Sequence, residues 1–149
     1  MIILDITDLK IIDVLKKNSR CSTSEISKKV NLSIPAVSER IRKMEEADII
    51  EKYTIKVNRE KLNYKLLAFV YVNIDTTSNI DNFRNAIIQC NNVLECHHVA
   101  GEYDYLLKVL VEDTKSLELF LSNTLKKIKG VSKSNTVISL SSLKEEINI

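Results

Sequence analysis

The stretch SIPAVSERIRKMEEA, residues 33–47, decides how the first third of the chain folds. Ser33 is a favoured residue for a helix N-cap, and Pro35 lies within the first turn, where a missing backbone N–H costs nothing. Three apolar residues recur at i, i+4 and i+7 and form one stripe: Val37, Ile41 and Met44. The spacing predicts a helix with one buried face.

The opposite face of this helix combines small, polar and basic side chains. At about 100° per residue, four residues lie opposite the apolar stripe and two lie at the margins. They are Pro35, Glu39, Arg42 and Lys43, with Ala36 and Ser38 at the margins. A buried three-helix bundle without DNA contact is the alternative, but it gives no reason for this combination on an exposed face.

The preceding residues complete a helix-turn-helix pattern. Ser22 and Glu25 have the spacing of a capping box, so a second helix is predicted to start at Ser22 or Thr23 and to end near Val30. Asn31 tolerates the left-handed conformation that a tight turn between helices requires. The first helix, ITDLKIIDVLKKN, opens with acidic residues and ends with basic ones, as the helix dipole favours. A helix, a short turn and a polar, basic helix are typical of DNA-binding proteins.

The charge distribution agrees with this interpretation. The chain of 149 residues has a formal net charge of only +2, but residues 16–43 hold eight basic and two acidic side chains, an excess of +6. Such local clusters are typical of phosphate-binding surfaces. A solvated helical face would give the same count, so charge alone leaves both interpretations open.

The composition indicates a globular protein in a reducing compartment. No run approaches the roughly 20 apolar residues needed to cross a bilayer. The amino terminus lacks the basic segment and apolar core of an export signal. The three cysteines, Cys21, Cys90 and Cys96, do not have the spacing of a disulfide framework. We therefore expect a cytoplasmic protein.

The rest of the chain alternates between strand and helix patterns. IIEKYTIKVN, residues 49–58, alternates apolar and polar residues and predicts a β-hairpin or wing. Residues 66–143 then predict strand, helix, strand, strand, helix and strand, which is the βαββαβ order of a ferredoxin-like unit. The two helices are predicted near residues 80–90 and 114–128, and Gly130 is expected to cap the second.

The predicted sheet is apolar on both faces, although the two helices can cover only one. The strand after Gly101 has tyrosines, leucine and valines on one side but Leu106 and Leu110 on the other, and the first strand, LLAFVYV, is apolar on both sides. A face left in water should carry polar residues at alternate positions. We therefore expect a second copy of the sheet to cover it and form a homodimer.

Three stretches resemble the Lrp/AsnC family of feast/famine regulators of bacteria and archaea. They are LDITDLKIIDVLKKNSR, NLSIPAVSERIRKMEEADIIEKYT and VLECHHVAGEYDYLLKVLVED. The resemblance covers nearly the whole chain, and GEYDYLL is its most specific part. Asn31 stands where the family often has glycine, and Pro35 lies one place later than in many members.

The resemblance implies an α+β protein of two domains. Residues 1–60 are expected to form a winged helix-turn-helix that binds double-stranded DNA, and residues 61–149 a ferredoxin-like βαββαβ effector domain. That domain is expected to bind an amino acid and to assemble homodimers into tetramers or octamers. The expected DNA-binding residues are Ser22, Thr23, Ser33, Pro35, Ala36, Ser38, Glu39, Arg40, Arg42 and Lys43.

The turn GEYDY, residues 101–105, is the expected effector site. Its simplest interpretation is a turn joining two antiparallel strands, with Asp104 as an exposed sheet residue that contributes little to folding. An amino acid is a zwitterion, however, and a glycine turn lets backbone N–H groups approach a carboxylate closely. Glu102 or Asp104 can supply the negative partner for the ammonium group, and Tyr103 an apolar wall. The expected effector-binding residues are Gly101, Glu102, Tyr103 and Asp104.

Other chemistry has little support in the sequence. Cys96 and His98 share one face of a strand, but a zinc site needs three or four ligands, so no metal and no cofactor are expected. No serine elbow, phosphate loop or ordered acid–base pair is present, so we do not expect an enzyme. The alternative is a ferredoxin-like small-molecule-binding module or enzyme with a helical appendage.

Overall fold

A computed structural model of the chain describes residues 3–147, which fall into two compact units. One unit contains residues 3–57 with residues 146–147, and the other contains residues 58–145. The expected domains, 1–60 and 61–149, have their outer ends at residues 1 and 149, outside the described residues, and their shared boundary lies three residues after the boundary between the two units. Within residues 3–147, each helix is too short or too polar to cross a membrane.

Three helices form the amino-terminal unit: α1 (Ile6–Lys17), α2 (Thr23–Val30) and α3 (Ile34–Glu46). Each begins after an N-cap residue whose side chain accepts a backbone N–H from the first turn, and these residues are Asp5, Ser22 and Ser33. Ser22 and Glu25 form the predicted capping box. The predicted starts of α2 and α3 are therefore confirmed.

The turn between α2 and α3 depends on Asn31. This residue has φ 55° and ψ 48°, the predicted left-handed conformation, and its N–H donates to the carbonyl of Ser27. Because asparagine tolerates this conformation, the chain leaves α2 and enters α3 within three residues.

The helices pack around a small apolar core. Four side chains from the three helices are 0 or 1% exposed: Ile11, Ile26, Val37 and Met44. Val37 and Met44 belong to the predicted stripe of α3, and Ile41 packs half-buried beside them. Burial of each such side chain stabilises the unit by about 1.5 to 3 kcal/mol relative to exposure.

Residues 49–58 were predicted to form a β-hairpin or wing, and the hairpin is not formed. The structure assigns no strand to this segment, and the apolar side chains of Tyr53, Ile55 and Val57 are exposed like the polar residues between them. A strand needs a neighbouring strand to accept and donate its backbone hydrogen bonds, and no described part of this unit supplies one.

The second unit is a four-stranded antiparallel sheet with helices. Its elements are β1 (Leu66–Ile74), α4 (Ile80–Ile87), β2 (Val93–His98), β3 (Tyr105–Val111), α5 (Thr114–Leu119) and β4 (Val131–Ile138). The strand order is β2-β3-β1-β4, and all three neighbouring pairs are antiparallel. This arrangement confirms the predicted ferredoxin-like α+β fold.

The helical segments differ slightly from the predicted ranges. The helix α4 ends at Ile87, three residues before the predicted end. After α5 the chain continues in a π-helical turn, Phe120–Thr124, and a 3-10 turn, Leu125–Lys127. The predicted helix over 114–128 is therefore a helical run of three different pitches.

The two faces of the sheet have different surroundings. On one face, β-strand residues such as Val70 and Leu107 pack in a fully buried core with Phe83 of α4 and Phe120 of the π-helical turn. On the other face, Leu106 and Leu110 are only half-buried, as are Phe69 and Tyr71. This second face therefore carries apolar side chains, as predicted, but also Lys108, which lies between Leu106 and Leu110 and pairs with Glu95 and Glu145.

Gly130 does not cap the second helix, so that expectation is wrong. The helical run ends at Lys127, with Ile128 as its cap residue. Gly130 lies just before β4 with φ +99°, and a Cβ built there would come within 2.4 Å of Asn79 Cβ. Glycine is required because the turn into β4 is left-handed and presses against this neighbouring side chain.

Candidate functional site

The exposed surface of α3 contains most of the residues predicted to bind DNA. Glu39, Arg42 and Lys43 are exposed along it, and Pro35 and Ser38 continue it toward the amino-terminal end. Ala36 is half-buried at its margin, as the helical spacing predicted. The buried residues of α3 turn away from this surface into the core, so a partner that approaches α3 meets these side chains first.

Two carboxylates hold the guanidinium of Arg42 on this surface. Its Nε lies 2.9 Å from Glu39 Oε2, its Nη2 lies 2.7 Å from Glu39 Oε1, and its Nη1 pairs with Glu46. Lys43 Nζ is 3.6 Å from Glu39. Hydrogen bonding by Arg42 lowers the pKa of Glu39 to about 2, so Glu39 is ionised at neutral pH.

Arg40 has a different environment from its neighbours on α3. Its Nη1 lies 2.8 Å from Asp5 Oδ2 and 2.7 Å from Asp8 Oδ1. Asp5 and Asp8 form the capping box of α1, and Asp8 is buried. Arg40 was predicted to bind DNA, but the structure turns its guanidinium toward α1, where it joins the start of the first helix to α3.

The serine and threonine residues predicted to bind DNA lie at the starts of α2 and α3. Ser22 accepts the backbone N–H of Glu25 and donates to its carboxylate, so the hydroxyl is used in the capping box. Ser33 accepts the N–H of Ala36 at 3.4 Å, and Thr23 is the first residue of α2. Helix amino termini present N–H groups and a positive dipole, which suit a phosphate.

At the turn of residues 101–105, Asp104 is tied into the sheet. Its Oδ2 accepts the N–H of Ile74 at 2.8 Å, and its own N–H donates to Asn73 Oδ1 at 3.0 Å and to the Val72 carbonyl at 3.1 Å. Sequence alternation placed Asp104 on the strand surface, where a carboxylate adds little to folding. The structure corrects this view, because a half-buried carboxylate that accepts a backbone N–H stabilises the end of β1.

Gly101 and Glu102 remain at the exposed tip of the turn. A Cβ built on Gly101 would meet nothing within 4 Å, and its φ lies outside the left-handed range. The backbone of the turn is therefore open to an approaching group, but the fold of this chain does not itself require glycine there. Room for another molecule is what distinguishes Gly101 from Gly130.

Three residues beside the turn were missed by the sequence reasoning. Lys133 lies 3.0 Å from Glu102 and 5.0 Å from the centre of the Tyr103 ring, and Tyr71 packs against Tyr103 with 5.3 Å between ring centroids. Asn73 Nδ2 donates to the Glu102 carbonyl at 3.1 Å. Strand alternation places Tyr71 and Asn73 on one face, but only the strand order brings β1 and β4 next to this turn.

The arrangement has both charges that a zwitterion requires. Glu102 is negative and Lys133 is positive, and pairing with Glu102 raises the pKa of Lys133 above its ordinary value. The two tyrosine rings offer an apolar surface beside them. A small molecule that carries a carboxylate, an ammonium group and an apolar side chain would find complementary groups here.

Metal ligands are not grouped in residues 3–147. No set of three or more His, Cys, Asp or Glu side chains there is placed to hold a metal ion. His98, one of the residues considered for such a site, stacks on Tyr105 with 5.0 Å between ring centroids. His98 is exposed at the end of β2, and this ring stacking is its described contact.

Comparison with known proteins relates both units to one kind of protein. Residues 67–149 match the family model of the Lrp/AsnC ligand binding domain, and residues 4–51 match a model of winged helix-turn-helix DNA-binding domains. A helix-turn-helix-type transcriptional regulator of Pyrococcus furiosus is 39% identical over 147 residues, covering 97% of this chain and 98% of that protein.

Two further relatives are associated with amino acids. The leucine-responsive regulatory protein of Escherichia coli K12 is 33% identical over 144 residues, covering 95% of this chain and 88% of that protein. The crystal structure of a transcriptional regulator from Neisseria meningitidis in complex with L-methionine superposes with a TM-score of 0.95. The two chains are 30% identical in sequence, and the match covers 99% of this chain and 96% of the Neisseria meningitidis chain.

Proposed function

The chain belongs to the Lrp/AsnC family of transcriptional regulators, and we propose that it binds specific DNA sequences and that a small effector, an amino acid, controls its DNA binding or its assembly. In this proposal residues 1–60 bind double-stranded DNA, and residues 61–149 bind the effector and assemble the protein. The observation that carries the proposal is the presence of an exposed α3 surface and an open, charge-paired turn in one chain.

The geometry of α2 and α3 supports DNA binding. A recognition helix must present side chains long enough to reach base edges, and Arg42 and Lys43 do so on the exposed face of α3. The starts of α2 and α3 supply N–H groups for phosphates through the segments that begin at Ser22 and Ser33. The predicted DNA-binding set stays our proposal, with Arg40 given a supporting role.

The surroundings of residues 101–104 support an amino-acid effector. The turn offers open backbone at Gly101, and charges of both signs at Glu102 and Lys133. The relative from Neisseria meningitidis was solved with L-methionine, and the relative from Escherichia coli is leucine-responsive. We extend the same class of ligand, an amino acid with an apolar side chain, to this chain as a proposal.

The open sheet face supports assembly into at least a homodimer. Leu106, Leu110, Phe69 and Tyr71 form an apolar surface opposite the helices. A second copy of the same sheet would remove this surface from water, at about 25 cal/mol for each Å² buried. Tetramers or octamers of such dimers are the larger assemblies that we propose.

Gel shifts with DNA from upstream of the protein's own coding region test the DNA-binding part. The wild type should bind with an affinity that falls steeply with salt. Arg42→Ala and Lys43→Ala should each weaken binding roughly tenfold where the side chain meets a base edge. The control Lys126→Ala removes an exposed positive charge from the other unit and should leave binding unchanged. Equal binding by all four proteins would contradict the assignment of the α3 surface.

Calorimetry against the twenty amino acids tests the effector part. Asp104→Asn is a better variant than Asp104→Ala, because its amide oxygen can still accept the Ile74 N–H while the negative charge is lost. Asp104→Asn and Glu102→Gln should keep DNA binding, and one or both should lose the effector. Effector binding of wild-type strength by both variants would place the ammonium partner elsewhere. A wild type that binds none of the twenty would refute the amino-acid effector.

A further inference from the structure

The exposed surface of α3 is not positively charged, which is unusual for a helix that is proposed to enter a DNA groove. Its outward part carries two basic residues, Arg42 and Lys43, and three acidic ones, Glu39, Glu45 and Glu46. Phosphates repel these carboxylates, so they weaken any contact that depends on charge alone. Any role of these carboxylates in DNA recognition depends on the DNA-binding function proposed above.

Glu39 and Glu46 together accept hydrogen bonds from all three guanidinium nitrogens of Arg42. Glu39 uses both carboxylate oxygens, one for Nε at 2.9 Å and one for Nη2 at 2.7 Å. Glu46 accepts from Nη1 one helical turn further along. The three residues have i, i+3 and i+7 spacing, so the helix itself keeps them on one face.

These contacts leave a defined part of the guanidinium available. Arginine has five N–H donors, and three are used within the cluster. One N–H remains on Nη1 and one on Nη2, which is the number needed for a bidentate contact with O6 and N7 of a guanine. An arginine held in this way has lost much of its rotational freedom before DNA arrives.

We infer that Glu39 is a positioning residue for DNA recognition: with Glu46 it holds Arg42 in place for a guanine and restrains it from contacting phosphates. Two effects follow from the cluster. Binding to DNA of arbitrary sequence is weakened, because the held guanidinium cannot turn toward a neighbouring phosphate without breaking its pairs. Binding to the correct sequence loses less, because the orientation is already set.

The experiment compares Glu39→Gln with Glu45→Gln in the full chain. Glutamine has a single acceptor oxygen, so it cannot hold Nε and Nη2 through two oxygens as Glu39 does. Glu45 lies on the same helix but accepts from Tyr53, so its variant removes the same charge without touching Arg42. The probes are duplexes selected by the wild type from a random-sequence pool and the unselected pool itself, titrated between about 50 and 200 mM salt.

Glu39→Gln should bind the unselected pool more tightly than Glu45→Gln does, and its salt slope on that pool should steepen by about 1 as Arg42 reaches a phosphate. Its preference for selected over unselected duplexes should fall roughly tenfold. In an Arg42→Ala background, Glu39→Gln should have no more effect than Glu45→Gln.

Three results would overturn the inference. Equal changes in Glu39→Gln and Glu45→Gln would mean that Glu39 acts only as a negative charge. A loss of preference that persists in the Arg42→Ala background would mean that Glu39 contacts a base itself, for which cytosine N4 is the donor. Failure of the wild type to enrich any sequence would overturn both this inference and the proposed function, whereas the first two results leave the proposed function intact.

Discussion

Arg40 and Arg42 stand two positions apart on α3, yet they pair with different parts of the molecule. Arg40 reaches across to the capping box of α1, whereas Arg42 pairs with carboxylates of its own helix. The first arrangement joins two elements, and the second orders only a surface side chain. We therefore expect replacement of Arg40 to reduce stability more than DNA binding, and replacement of Arg42 to reduce DNA binding more than stability.

Replacement of Arg40 by alanine should destabilise the amino-terminal unit by about 1 to 2 kcal/mol, because the buried carboxylate of Asp8 loses its charged partner. Urea unfolding followed by circular dichroism measures this loss. The matched control Arg42→Ala breaks only exposed pairs and should lower the urea midpoint much less than Arg40→Ala does. An equal loss of stability in both variants would show that the bridge to α1 adds nothing.

The chain's two glycines predict different responses to alanine. At Gly130, φ is +99° and the new Cβ would lie 2.4 Å from Asn79 Cβ, so Gly130→Ala should cost more than about 1 kcal/mol. At Gly101 the backbone is not left-handed and the space is open, so Gly101→Ala should change stability by less than about 0.5 kcal/mol. Thermal unfolding of the two variants side by side decides this, and the reverse order would refute it.

At the scale of the element, α3 owes its position to caps and packing and its surface chemistry to pairs along the helix. Ser33 caps its start, and Val37 and Met44 fix its buried side. Glu39 then faces outward, within reach of Arg42. The same helical period thus sets both the core contact and the carboxylate–guanidinium pairing.

The ionisation of Glu39 gives α3 a pH dependence with a definite sign. Arg42 lowers the pKa of Glu39 to about 2 from an ordinary value of 4.5, so the pair stabilises the fold above pH 4.5 and is lost as the pH falls from 4.5 toward 2. Solvent screening makes the contribution small because Glu39 is exposed.

Thermal unfolding at pH 6 and pH 3 should therefore show a smaller acid-induced loss for Glu39→Gln than for the wild type. The Glu45→Gln variant lacks a carboxylate of the same helix that does not touch Arg42, so it should behave as the wild type does. An identical loss in all three proteins would mean that the Glu39–Arg42 pair does not contribute to the pH dependence of stability.

At the scale of the whole molecule, the open face of the sheet predicts association. Leu106→Glu or Leu110→Glu should convert the protein to monomers of 17.0 kDa, because each would place a charge in an apolar contact. Light scattering at micromolar concentration measures the mass, and the wild type should be at least twice the monomer. Leu140→Glu is the control, since Leu140 is 98% exposed. A monomeric wild type would end the proposal of assembly through this face.

Interactions between residues that are close in sequence were sufficient to predict much of the fold. The caps at Ser22 and Ser33, the left-handed Asn31 and the buried stripe of α3 follow from neighbouring residues alone, and all were predictable. The order of strands and helices in residues 66–143 likewise indicated the ferredoxin-like sheet, because its βαββαβ sequence has few alternatives. These features depend on interactions within a few residues or on chain order.

The sequence by itself thus determined where the helices begin, which faces are apolar, and that GEYDY joins two strands. Only the tertiary structure decided which charges meet: Arg40 with Asp5 and Asp8, and Lys133 with Glu102. It also decided that residues 49–58 form no hairpin. The physical reason is one of range, since caps and periodicity act over three or four residues, whereas ion pairs and strand ladders need partners that are brought together only by folding.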